Sequence, residues 1–126
     1  MNKKETMVIR ILVGLMMAVF GLNKFLNFMP APEGMGEQMA ALMDVFTHSP
    51  FMSIIGVLEI LGGLGLILNK YVPLSLTILI AILFNAALFH LLLDNPVNAG
   101  GSIVFLILSI VLVYAHKERF SSLLSA

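Results

Sequence analysis

Four side chains carry the chemistry this sequence can do inside an apolar environment: Lys24, Glu59, Asn85 and His90. Each sits within a long hydrophobic run, where a charged or amide group costs free energy unless something meets it. An acid at the centre of a spanning helix costs about 2.5–3.5 kcal/mol on insertion scales. Glu59 must therefore be paired, protonated or turned toward a wet cavity. Taking Glu59 as zero and about 100° per residue, Met52, Ile55, Gly56, Gly62, Gly63 and Leu66 share its face. Three glycines beside an acid let a neighbouring backbone, or a ligand, come close.

The solvent is set by composition. Of 126 residues, 60% are apolar and 11% charged, and mean hydropathy is +1.03. Soluble domains run at about 45–50% apolar and about 25% charged, so the lipid bilayer is the expected environment. The length suits one domain over residues 1–126. Net charge is zero and no basic stripe is present, which argues against nucleic acid. With no cysteine, the chain offers no disulfide, no thiol nucleophile and no iron–sulfur ligation. His48 and His90 fall on the same side of the membrane without metal-ligand spacing, so the sequence carries no haem, metal or iron–sulfur signature. No phosphate-binding loop, dinucleotide fingerprint or nucleophile elbow occurs either.

The elements that position these residues follow from hydropathy and turn residues. A span needs about 20 apolar residues, and four are predicted, at 7–28, 51–69, 73–93 and 98–115. The first run exceeds the apolar core of a signal peptide and lacks an A-x-A-like cleavage site, so it reads as an uncleaved span. Arg10, Gly14, Met17, Gly21 and Lys24 lie on one face of it, with Arg10 read as an interfacial anchor. The stretch 29–34 breaks the helix, since Pro30, Pro32 and Gly34 cannot continue it. A short amphipathic helix is then predicted at 36–47, too short to span and suited to the membrane surface. Methionines gather around it. Methionine adapts to irregular space, which makes Met35, Met39, Met43 and Phe46 candidates for a compliant gate. Ser49-Pro50 opens the second span, Asn69 to Pro73 turns the chain, and Asp94-Asn95-Pro96 closes the third. Ser102, Ser109 and His116 recur every seven residues along the fourth. The tail from His116 reads as polar and short. The fold expected is an all-α membrane protein, a four-transmembrane-helix bundle with an interfacial helix between spans one and two.

Four spans put both termini on one side. Lys3, Lys4, Arg10, Lys70, Lys117 and Arg119 fall there, while Glu33, Glu37, Asp44 and Asp94 fall on the other. Basic loops stay cytoplasmic, so both ends are expected inside. At about 1.5 Å per residue, Lys24 lies roughly 6 Å and Glu59 roughly 12 Å below the end that carries the interfacial helix. Helical side chains lean toward their own N-terminus, so the two heads lean toward each other. Asn85 lies at about the depth of Glu59, and His90 at about that of Lys24. His90 is about 140° around the helix from Asn85, so they cannot both point at one spot. Two arrangements stand open: a polar pocket in this half of the bundle, or a structural Lys24–Glu59 ion pair with Asn85 holding helices together.

At Phe20-Gly-Leu-Asn-Lys24-Phe25, Gly56-Val-Leu-Glu59-Ile-Leu-Gly-Gly63 and Asn85-Ala-Ala-Leu-Phe-His90, the chain resembles the DoxX family of bacterial membrane proteins. The resemblance runs from about Ile9 to Tyr114 and is closest to DoxX-like members with a proline-containing loop after the first span. It implies a four-helix bundle in the bacterial cytoplasmic (inner) membrane and, for some relatives, association with thiosulfate:quinone oxidoreductase or other membrane redox assemblies. It implies no catalytic set. The first functional reading is a quinone- or isoprenoid-lipid-binding component of such a system, beside an oxidoreductase partner or a second copy of itself. Any enzymatic part would be that of a quinone-linked subunit, because the chain offers no electron carrier of its own. The alternative is a non-enzymatic membrane subunit or scaffold acting through helix–helix contacts. A small proton-coupled exporter is the third reading; its acid would be expected in span one, and here it is in span two.

Overall fold

The computed structural model describes residues 2–26 and 34–124, with side chains as far as residue 121. The predicted last residues of span one and the break at 29–33 lie outside these. Six α-helices follow in order: α1 Lys3–Leu26, α2 Glu37–Thr47, α3 Phe51–Leu68, α4 Val72–Leu93, α5 Gly100–Ala115 and α6 Lys117–Leu124. A 3₁₀ turn at Pro96–Ala99 leads into α5. No strand occurs among the described residues. Four segments are long and apolar enough to cross a membrane: α1, α3, α4, and α5 together with its leading turn. This is the predicted bundle. α2 lies between the first two spans, as the methionine-rich periodicity requires.

The helix ends have identifiable causes. α3 stops in a Schellman arrangement in which Asn69 takes the left-handed conformation (φ 55°) that glycine usually supplies. The Lys70 N–H returns to the Gly65 carbonyl at 2.9 Å, and that of Asn69 to Leu66 at 3.4 Å. Tyr71, also left-handed at φ 54°, completes the reversal, and Pro73 follows in the first turn of α4. Before α5, the Asn95 side chain accepts the Val97 N–H at 3.3 Å and caps the 3₁₀ turn.

The four spans form a closed ring: α1 packs on α3, α3 on α4, α4 on α5, and α5 returns to α1. Val13, Met17, Leu66, Leu76, Leu79 and Leu112 fill its centre. Phe20 and Phe105 meet edge to face, with centroids 6.0 Å apart, where α5 closes on α1. Leu61, Leu64, Leu74, Leu92, Ile107 and Ile110 are exposed on the outside. In water that would be costly; among lipid tails, which are as apolar as leucine, it is not. The tail departs from the sequence expectation, because it continues as a helix. Phe120 turns into the core, and Arg119 donates to the Asn69 side chain at 2.7 Å, tying α6 to the α3–α4 turn.

Candidate functional site

The α1–α3 seam is built on glycine. A Cβ placed on Gly14 would lie 2.6 Å from the Gly63 carbonyl oxygen, and one on Gly21 would lie 2.6 Å from that of Gly56. The two helices run antiparallel. Each pair of glycines is seven residues apart, so the same close approach recurs two turns along the seam. Lys24 stands three residues beyond Gly21, and Glu59 three beyond Gly56. Each side chain leans back over the glycine of its own helix. The two charged heads therefore converge where the backbones are closest.

There the Lys24 ammonium and the Glu59 carboxylate form an ion pair, Nζ to Oε1. Glu59 is 4% exposed, whereas the Lys24 side chain is 23% exposed and reaches the rim of the seam. The Glu59 Oε1 is enclosed, and the Lys24 ammonium is the group that meets it. This contact supplies the partner that an acid at this depth requires.

The other two predicted site residues lie elsewhere. Asn85 is on the outer face of α4, and its amide donates to the Ala81 carbonyl one turn back at 2.9 Å. His90 turns toward the end of its own helix, with Nδ1 2.8 Å from Asp94 Oδ2. Lys24 and Glu59 are thus brought together, and Asn85 and His90 are not brought to them.

A family model for the DoxX-like family matches residues 8–112. The chain belongs to the DoxX-like family. No curated protein and no solved structure matches it. The matched stretch of this DoxX-like protein holds the whole α1–α3 seam, α2, α4 and most of α5, and stops short of α6.

Within that stretch the structure assigns work to residues that sequence reasoning passed over. Arg10 is buried, not an interfacial anchor. Its guanidinium donates to the Leu66 carbonyl and, at 3.4 Å, to that of Ile67. These belong to the last turn of α3, where carbonyls lack the regular i+4 N–H and carry the negative end of the helix dipole. The available signal was Arg10's place on the Gly14–Gly21–Lys24 face, which marks it as pointing at α3.

In the sequence Asp94 reads as a helix terminator and as one of the acids opposite the termini, not as a site. Its side chain is fully enclosed and gathers three donors or partners: the Gly36 N–H, His90 at 2.8 Å and the Asn98 amide at 3.2 Å. The Gly36 N–H foremost, then His90, hold its carboxyl well below the usual carboxylate range, with Asn95 and Asn98 adding to the effect against the opposing influence of burial. Because Gly36 is the N-cap of α2, this carboxylate fastens α2 to the end of α4. The spacing of His90 and Asp94, four apart at a helix end, was the readable signal.

The gate candidates form the seat of α2. Met39 is buried, while Met35, Met43 and Phe46 are half-buried. Phe46 packs between Phe51 and Phe89, at 6.2 and 6.3 Å between centroids.

Proposed function

We propose that this DoxX-like protein is a non-enzymatic subunit of a membrane assembly, of the redox-associated kind that the family resemblance implies. We place it in the bacterial cytoplasmic membrane with both termini inside. The single observation that supports the subunit reading is the closure of the Lys24–Glu59 pair over the Gly21–Gly56 backbone contact. The charged groups answer one another, and the small residues that would make room for a ligand are filled by the opposing helix. The orientation rests on the basic residues at the terminal end.

A second reading, a quinone or other isoprenoid lipid held at the seam, is supported by the partial exposure of the Lys24 side chain. Its ammonium stem borders lipid, where a carbonyl head group would have access to it. Purification in mild detergent followed by mass spectrometry of both polypeptide and lipid separates the two. The subunit reading predicts a stoichiometric polypeptide, another chain or a second copy, that is retained when Lys24→Met and Glu59→Leu are made together. A stoichiometric quinone that is lost on Glu59→Gln overturns it in favour of the second reading.

A further inference from the structure

Asn85 stands about 4 Å from the middle of α4, well inside an apolar core about 30 Å thick, and faces outward. Its one hydrogen bond among the described residues uses a single amide N–H, toward Ala81. The second N–H and the carbonyl oxygen point into hydrocarbon, where an unmet polar group is costly.

The residues around it are apolar, as nearly all of α4 is. Leu74, Ile78, Ala81, Asn85, Leu88 and Leu92 are spaced 4, 3, 4, 3 and 4 apart, a heptad seam sustained over most of α4. Leu74, Ala81, Asn85 and Leu92 are exposed, and Ile78 and Leu88 are half-buried, so the seam lies on the outside of the ring. Ile78, Asn85 and Leu92 occupy one set of heptad positions, and Leu74, Ala81 and Leu88 the other. An isolated asparagine in such a seam sets register and partner number at some cost in stability. Ala81, one turn from Asn85, lets two backbones approach.

We infer that α4 pairs with α4 of a second copy in a parallel, two-fold symmetric dimer, with Asn85 bonded to Asn85 across the axis. This rests on the subunit reading and names its partner. The argument for a second copy is complementarity in depth and chemistry. Two copies inserted the same way present Asn85 at the same height, and a primary amide is its own donor–acceptor complement. Any other partner would need a matching polar group at that depth.

The chain has no cysteine, so single cysteines report contact without background. In native membranes under mild oxidant, Ala81→Cys gives a disulfide-linked species at twice the 13.7 kDa chain mass. Leu61→Cys on α3 and Ile107→Cys on α5, also exposed, do not. Adding Asn85→Leu to Ala81→Cys weakens association by about threefold to tenfold, and Asn85→Gln, which keeps the amide, restores it. Equal cross-linking from all three faces, or none from α4, overturns the dimer. If α4 fails to cross-link while a different polypeptide copurifies in fixed ratio, self-pairing falls and the subunit reading stands. If the protein is monomeric and nothing copurifies, both fall.

Discussion

The α1–α3 seam and the outer face of α4 each carry a polar residue deep in a span, and they treat it in opposite ways. In the seam, Glu59 is 4% exposed and meets Lys24, while Arg10 at the far end meets the carbonyls of Leu66 and Ile67. Every costly group there is answered from within the chain. On α4, Asn85 spends one amide N–H on Ala81 and leaves its second N–H and its carbonyl oxygen facing outward. The difference separates two meanings of an intramembrane polar residue. One fastens the chain to itself, and the other leaves an amide that the proposed second copy would meet. The first should govern stability and the second association.

Breaking the ion pair from its exposed side gives the largest effect. Lys24→Met leaves Glu59 enclosed without a countercharge, and removing one partner of a buried pair costs about 3–5 kcal/mol. Equilibrium unfolding in mixed micelles should show a loss of that order. Pairing it with Glu59→Leu should recover most of the loss, because the uncompensated charge is gone. A double variant as unstable as the single one would mean that the pair does more than neutralise.

Next comes the close approach itself. A Cβ on Gly63 would lie 2.5 Å from the Gly14 carbonyl and 2.8 Å from the Ala18 nitrogen, both backbone atoms that cannot swing aside. Gly63→Ala should therefore cost about 1–3 kcal/mol as overpacking. Gly101→Ala, with nothing within 4 Å of the added carbon, should be neutral or slightly stabilising by helix propensity. Equal effects at the two sites would remove glycine packing as the basis of the seam.

How much of this was legible in the sequence depends on which coordinate of a side chain is asked for. Depth along a span was readable, because rise per residue and turn residues fix it; hence lean and height brought the Lys24 and Glu59 heads toward each other, while pocket and ion pair both stayed open. Direction around a helix was readable only where something breaks its symmetry. On α1 the glycines and cations mark one side, and that side does face α3. α4 is apolar nearly all round, so nothing in Val72–Leu93 orients Asn85, and its height alone suggested a shared site with Glu59. Arg10 failed for the reverse reason: its direction was visible, but its low position suggested an interface and not the end of a neighbouring helix. The Asp94 cluster depends on a backbone N–H at Gly36, fifty-eight residues away, which no side-chain pattern announces.

The Asp94 cluster gives a smaller, local effect that leaves the seam untouched. A carboxyl depressed in the folded state contributes stability above its unfolded pKa and loses it as pH falls through the folded value. With an unfolded value of about 3.9 and a folded one well below it, the α2 attachment should hold from neutral pH down to about pH 4 and loosen only below that. The Gly36 amide resonance, shifted by its carboxylate partner, reports this directly. Asp94→Asn should move that resonance and speed hydrogen exchange in α2, with little change in α1 or α3. A Gly36 amide resonance that Asp94→Asn leaves unmoved would show that Asp94 is not what holds α2.

The smallest effect on the isolated chain should come from Asn85. Asn85→Leu removes one local hydrogen bond to Ala81 and replaces an amide facing lipid with a side chain that lipid accommodates. For a single copy dilute in micelles, the two changes oppose each other, and unfolding should shift by no more than about 0.5 kcal/mol. At high protein-to-lipid ratio the same substitution should lower the apparent stability, because binding to the folded state stabilises by mass action and the variant binds less. The contrast with Lys24→Met is then qualitative: that variant is unstable at every concentration, whereas Asn85→Leu departs from the native chain only where copies meet. An Asn85→Leu loss that is independent of concentration would assign the amide to the internal fold and erase the distinction between the two regions.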